Sequence, residues 1–141
     1  MKILKLEDDW QSDKTLGGDP WRYRDLSGER LGVRVEELAP GATSSEHHYH
    51  TVEEEHVIIL EGEGTLFFGE EAHPITAGEH CWFRAAEEIA HHIENTSGAP
   101  LKLLVFGERS ENDVVVYPNH QVMMVKSLDR KQYTYRPLGH Q

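Results

Sequence analysis

Apolar residues recur in short runs separated by Gly, Pro, Asn or paired acidic residues, and a helical period is almost absent. The clearest runs are residues 31–38, 57–60, 65–68, 80–83, 101–106, 114–117 and 122–125. Short strands with regular turn signals predict an all-β sandwich or barrel. Two runs, Val57-Ile58-Ile59-Leu60 and Leu103-Leu104-Val105-Phe106, are apolar at every position. A half-exposed strand would alternate, so these are expected to be covered on both faces, one cover being the interior and the other a second sheet or a partner subunit.

The flanks read differently. Ile3, Leu4 and Leu6 predict one edge strand, followed by a Gly- and Asp-containing stretch over 13–20 and an aromatic pair, Trp21 and Tyr23. The resulting division is an N-terminal arm over 1–30, a β domain over 31–117 and a C-terminal extension over 118–141 packing on the domain or on a partner. In that extension Tyr133, Tyr135 and Arg136 predict one more short strand.

Length and charge sharpen the picture. The 141 residues suit one domain able to bury a core. Acidic residues number 25 against 14 basic, a net charge of −11. Residues 41–100 hold 12 acidic side chains and one basic one, Arg84, together with eight of the ten histidines. So acidic a surface argues against nucleic acid and anionic membranes as partners. No apolar run approaches the roughly 20 residues of a spanning helix. The segment Met1-Lys2-Ile3-Leu4-Lys5-Leu6 lacks an apolar leader core, and the single cysteine, Cys81, rules out an internal disulfide and a thiolate metal cage. A reduced, cytoplasmic protein is the expectation.

The chemistry concentrates between Pro40 and His56. His48 and His50 are two apart, which on a strand places both imidazoles on one face; on a helix they would diverge by about 200°. Glu53, Glu54 and Glu55 offer a carboxylate just before an apolar strand, and a second pair, His91-His92, follows some 40 residues later. Neutral imidazoles with a carboxylate suit Zn²⁺, Mn²⁺, Fe²⁺, Ni²⁺ or Cu²⁺. Three nitrogens and one oxygen leave two open positions on an octahedral ion, where substrate or water binds.

At these residues the chain resembles the cupin superfamily, and its closing stretch Asp113-Val114-Val115-Val116-Tyr117-Pro118 is similar to that of small single-domain bacterial cupins. The family's first motif has its counterpart in Gly41, six residues, His48-Tyr49-His50, four residues, Glu55, six residues, Gly62. Its second motif has its counterpart in Pro74, Gly78, His91 and Asn95. The gaps from Gly41 to His48 and from Pro74 to Gly78 are each one residue longer than the family pattern, in loops where length costs little. The resemblance implies an all-β, jelly-roll type antiparallel β-barrel. It places one divalent transition metal per chain (Zn, Mn, Fe or Ni) on His48, His50, Glu55 and His91. Pairing into a homodimer is a further implication.

Of the neighbouring carboxylates, Glu55 is favoured over Glu54 because it lies six residues before Gly62 and shares parity with Val57 and Ile59; Glu53 and Glu54 are expected to be solvated. His47, His92 and His56 are expected to face away from the ligands. Trp82, Phe83, Phe67 and Phe68 read as core or interface, with one of them as a candidate for the cavity wall. Arg84 reads as a surface ion pair with Glu87 or Glu88, or else as a clamp for a substrate carboxylate. Asn95 is expected to make backbone hydrogen bonds at a turn, and Cys81 to be buried and inert. The remaining acidic residues of 41–100 are expected around the barrel mouth.

Three function classes follow. One is a metal-dependent enzyme, an oxygenase, decarboxylase or isomerase, acting on a small oxygenated molecule such as a hydroxy or keto acid, a diketone or a sugar by inner-sphere coordination. The others are a metal-dependent small-molecule-binding module without turnover, and a structural cupin. An enzyme predicts hydrogen-bonding or titratable groups facing the open metal positions, a binding module an apolar wall, and a structural role a closed site.

Overall fold

The computed structural model describes residues 1–6, 8–12, 21–126 and 133–139. The stretch over 13–20 lies outside the described residues. The described residues form twelve strands: β1 (Trp21–Asp25), β2 (Leu31–Leu38), β3 (Tyr49–His50), β4 (Glu55–Glu61), β5 (Glu63–Phe68), β6 (Glu71–Thr76), β7 (His80–Phe83), β8 (His91–Glu94), β9 (Leu101–Glu108), β10 (Val114–Tyr117), β11 (Val122–Lys126) and β12 (Tyr133–Pro137). The only helical element among the described residues is a 3₁₀ turn at Pro118–His120.

Five strands form one antiparallel sheet in the order β1-β2-β9-β4-β7. Facing it are β6-β5-β8 and β12-β11-β10-β3. Isolated bridges Thr43–Glu94 and His48–His91 lay the segment leading into β3 alongside β8, which joins these two sheets into one layer. Two antiparallel layers linked by crossing connections make the jelly roll expected from the sequence.

Between the layers lies an apolar core that includes Leu38, Val57, Ile59, Phe83, Ile93, Leu101 and Leu103. Val57 and Ile59 on β4 pair with Val105 and Leu103 on β9, so the inward halves of both fully apolar runs meet across one ladder. Each such side chain taken from water contributes about 1.5–3 kcal/mol. The outward halves, Ile58, Leu60, Leu104 and Phe106, are only half-buried.

Two motif residues have structural duties. Gly62 turns the chain from β4 into β5 with φ +86°, and a Cβ there would stand 2.5 Å from the Pro100 carbonyl oxygen, so this turn requires glycine. Asn95 is fully buried: its amide donates to the carbonyls of Leu38 (2.8 Å) and Ala99 (2.7 Å) and its oxygen accepts from the Ser97 amide (3.0 Å). It ties the end of β2 to the turn after β8.

The edge strand expected at Ile3, Leu4 and Leu6 is not one. These side chains are exposed, and the edge of the large sheet is β1, paired along its whole length with β2. The arm reaches that edge through Gln11, which bridges Tyr23, and through Trp10, whose ring lies under the Arg22 guanidinium at 4.3 Å. At the other end β12 pairs with β11, as the Tyr133–Arg136 pattern predicts. No helix among the described residues is long and apolar enough to cross a membrane.

Candidate metal centre

His48 stands just before β3, His50 on β3, Glu55 at the start of β4 and His91 at the start of β8. The backbones of His48 and His91 are hydrogen-bonded in both directions, at 3.2 and 2.8 Å, which brings motifs 40 residues apart into one ladder. The period-two spacing then turns His48 and His50 inward together, their rings 5.0 Å apart.

All three imidazoles converge on one atom. Glu55 Oε2 is 2.9 Å from His91 Nε2 and 3.6 Å from the Nε2 atoms of both His48 and His50. Donor atoms of His48, His50 and Glu55 all lie within 4.8 Å of one another. Ligands sharing one ion at about 2.1 Å each stand about 3.0–3.4 Å apart, so these N···O separations fit a common ion to within a few tenths of an ångström.

The far sides of the rings strengthen that fit. His48 Nδ1 faces the Glu46 carbonyl oxygen at 2.7 Å, and a carbonyl only accepts, so Nδ1 carries the proton and the Nε2 lone pair points inward. His50 Nδ1 donates to Asp113 Oδ2 at 2.6 Å. The His91 ring stacks on Phe83, centroids 3.6 Å apart and nearly parallel. The carbonyl behind His48 and the carboxylate behind His50 set their tautomers and raise their basicity toward a metal.

The charges are tightly coupled. Burial opposes ionisation of Glu55, but hydrogen bonds from His48 and His91 and the charge of both rings hold its carboxyl well below the ordinary range. Burial likewise opposes the ionised form of Asp113, and the hydrogen bond and charge of His50, with the Val52 and Glu53 amides, bring it well below that range. His50 is pushed the other way: burial favours its neutral form, but Asp113, Glu55 and Glu53 raise its pKa. Burial lowers that of His91, more than Glu55 raises it.

Glu55 is the carboxylate facing the histidines. Glu54 points outward and accepts from His56 Nε2 at 2.8 Å. Glu53 departs from the expectation of a solvated side chain. It is buried, accepting from the Ser110 amide and from Lys126 Nζ, both at 2.7 Å. Strand alternation does not apply to it, because 51–54 is a turn folded inward over Asp113, which accepts from the Val52 and Glu53 amides at 3.0 and 3.1 Å.

His47 and His92 face away and meet each other, Nδ1 to Nδ1 at 2.9 Å. His56 joins an outward row of near-parallel rings with Phe106, Trp82 and His80. The Arg84 guanidinium covers the Trp82 ring at 4.7 Å. Cys81 carries a free thiol.

The cluster opens on a cavity of about 550 Å³ between the two layers. Val57, Ile93, Val105 and Val115 give it apolar walls, and Arg34, Glu36, Lys126, Tyr117 and Tyr135 give it polar ones. Burial, helped by nearby Tyr135 and Glu46, pushes the Tyr117 phenol up to about 12, so it remains a hydrogen-bond donor at neutral pH. Of the 12 acidic residues of 41–100, Glu46, Glu53 and Glu55 line this cavity. Arg34, Glu36, Asp113 and Lys126 are not marked by the histidine motif: the first two lie on the strand before it, and the other two some 60 and 75 residues beyond it.

Comparison with known proteins accords with this geometry. Residues 34–107 match the family model described as the cupin domain. A provisionally named sugar phosphate isomerase from Acidithiobacillus ferrooxidans is 30% identical, with a TM-score of 0.75 over 83% of this chain and 77% of that one. A cupin-superfamily sugar phosphate isomerase from Silicibacter pomeroyi is 24% identical, with a TM-score of 0.84 over 96% and 92%. A predicted oxalate decarboxylase from Thermotoga maritima is 23% identical, with a TM-score of 0.65 over 77% and 100%. Among curated proteins, none matches the chain in sequence. With more than half its length matching the family model, and a jelly roll built around the paired histidine motifs, the chain belongs to the cupin family.

Proposed function

We propose that this protein is a metal-dependent enzyme holding one divalent transition metal on His48, His50, Glu55 and His91 and acting on a small oxygenated molecule in the adjoining cavity. The observation that carries this reading is the convergence of three Nε2 atoms on Glu55 Oε2 at the wall of an open cavity with polar side chains. A closed, purely structural site would have no such cavity, and the wall is not the wholly apolar one expected of a passive binding module, since Tyr117, Lys126, Arg34 and Glu36 contribute to it. The 30%-identical relative, provisionally named for sugar phosphate isomerisation, is in keeping with a substrate of this size and chemistry.

A bound divalent ion would supply Lewis-acid polarisation of a substrate carbonyl or hydroxyl oxygen. The chain's own residues do the rest. The Glu46 carbonyl and Asp113 hold protons on Nδ1 of His48 and His50, which keeps their Nε2 lone pairs directed inward. Phe83 fixes the plane of His91. Tyr117 offers a protonated hydroxyl to the cavity, and the apolar walls limit water.

Pairing of two copies belongs to the same reading and is supported by the outward ring row of Trp82, His56 and Phe106, where Trp82 is 50% exposed.

Elemental analysis tests the core of the proposal. Protein purified after supplementation with Zn²⁺, Mn²⁺, Fe²⁺ or Ni²⁺ is expected to carry about one transition metal per chain. A fully folded protein with none after every supplementation would sink it.

A further inference from the structure

We infer that the Arg34–Glu36 pair on β2 reads ligand hydroxyl groups, so that the molecule spanning from this pair to the metal cluster is polyhydroxylated, as a sugar is, and not a short dicarboxylate. This rests on the metal-dependent reading above and deepens it by naming the substrate class.

Inward positions of the large sheet are apolar along β9 and, after Glu55, at Val57 and Ile59 of β4, but on β2 they include Arg34 and Glu36. Arg34 pairs in register with Val105, and Glu36 with Leu103. The Glu36 side chain is 1% exposed, and Arg34 Nη2 lies 2.6 Å from its Oε1. Buried ion pairs contribute little net stability, and an apolar pair would fill the same wall at least as well. Their use lies in what they present to the cavity that both line.

A guanidinium only donates, a carboxylate only accepts, and a hydroxyl does both. Side by side, Arg34 and Glu36 match a row of hydroxyls. A ligand carboxylate drawn to Arg34 would meet the Glu36 charge at almost the same distance. The opposite layer repeats the arrangement: Lys126 Nζ, facing the same cavity, is 2.7 Å from Glu53 Oε1. Each cation of the cavity wall is thus accompanied by a carboxylate, which disfavours anion capture and favours neutral groups that donate and accept.

Reach points the same way. In the order β2-β9-β4, Arg34 stands two strands from Val57 and two residues along from Glu55, about 12 Å between backbones at roughly 4.8 Å per strand and 3.3 Å per residue. A chain or ring of five or six carbons anchored at the cluster extends further along the cavity wall toward Arg34 than a two- or three-carbon diacid does. Its C–H groups would lie against Val105, Val115 and Met124.

The test uses the full chain, metal-supplemented, with metal content measured first. Thermal melts are recorded with the D-aldopentoses, the D-aldohexoses and their terminal phosphates, and with oxalate and malonate, each at about 10 mM. At least one sugar or sugar phosphate is expected to raise the melting temperature by about 3 °C or more, and the diacids and inorganic phosphate to leave it unchanged. Arg34→Gln and Glu36→Gln are each expected to abolish the sugar shift at unchanged metal content; if Glu36→Gln does not fold, Arg34→Gln decides. A full complement of metal with no sugar response, a shift from oxalate, malonate or phosphate alone, or a sugar shift surviving in the folded variants overturns the inference. Absence of metal from the wild type instead overturns the reading beneath it, and elemental analysis separates the two failures.

Discussion

His50 Nδ1 donates to Asp113 Oδ2 at 2.6 Å, and the same carboxylate accepts from the Val52 and Glu53 amides. One buried side chain just before β10 therefore aims an imidazole of the candidate metal centre and shapes the turn that delivers Glu55. Lys126, 3.5 Å from Asp113 Oδ2, adds a compensating charge from β11.

Asp113→Asn keeps the shape and removes the charge behind His50. Metal affinity is expected to fall about 10–100-fold, measured by competition with a chelator of known affinity. An unchanged affinity would remove Asp113 from the account of the site.

Acid is expected to destabilise the metal-free protein through the same group. The folded-state pKa of Asp113 is depressed, so its contribution is fully present above the unfolded value of about 3.9 and is lost as pH falls toward the folded one. Glu55 acts in the same direction. Urea midpoints taken downward from about pH 5 should drop more steeply for the wild type than for Asp113→Asn.

His50→Ala and His47→Ala remove neighbouring imidazoles from opposite faces. The first should strip most of the metal, and the second, whose partner is the outward His92, should leave occupancy near that of the wild type. Equal losses in elemental analysis would show that facing direction does not decide ligation.

Asn95→Ala would orphan the Leu38 and Ala99 carbonyls and the Ser97 amide. A loss of about 2–4 kcal/mol is expected in urea unfolding, with metal binding per folded molecule retained.

Trp82→Glu places a charge at the exposed Trp82 position of the outward ring row. Light scattering should give the mass of two chains for the wild type and of one for the variant, with the metal content unchanged. A wild-type mass of one chain would refute pairing.

Local pattern carried much of this protein. Short bounded apolar runs specify strands because alternation and turn residues act within a few residues of sequence, and β2, β7 and β10 fall on residues 31–38, 80–83 and 114–117 as the pattern predicts. The same period of two turns His48 and His50 to one face, and parity with Val57 distinguishes Glu55 from Glu54. The weaker strands needed partners. β8 carries His91 but is only four residues long, and it exists by pairing with β5 and bridging His48. β1 displaced the more apolar Ile3–Leu6 segment from the sheet edge because its whole length pairs with β2, which composition does not reveal.

The surroundings of the site were decided by tertiary structure. Glu53 is buried because a turn, not a strand, sets its direction, and its partners Ser110 and Lys126 lie some 60 and 70 residues away. Asp113 meets His50 across the β3–β10 pairing, and Arg34 reaches the cavity from a strand that precedes the histidine motif. By itself the sequence determined which side chains can gather on one strand face, because that follows from backbone period. Only the closing of two layers decided which carboxylates stand behind the imidazoles and which charges face the ligand, because those contacts are made across space between strands that carry no local record of each other.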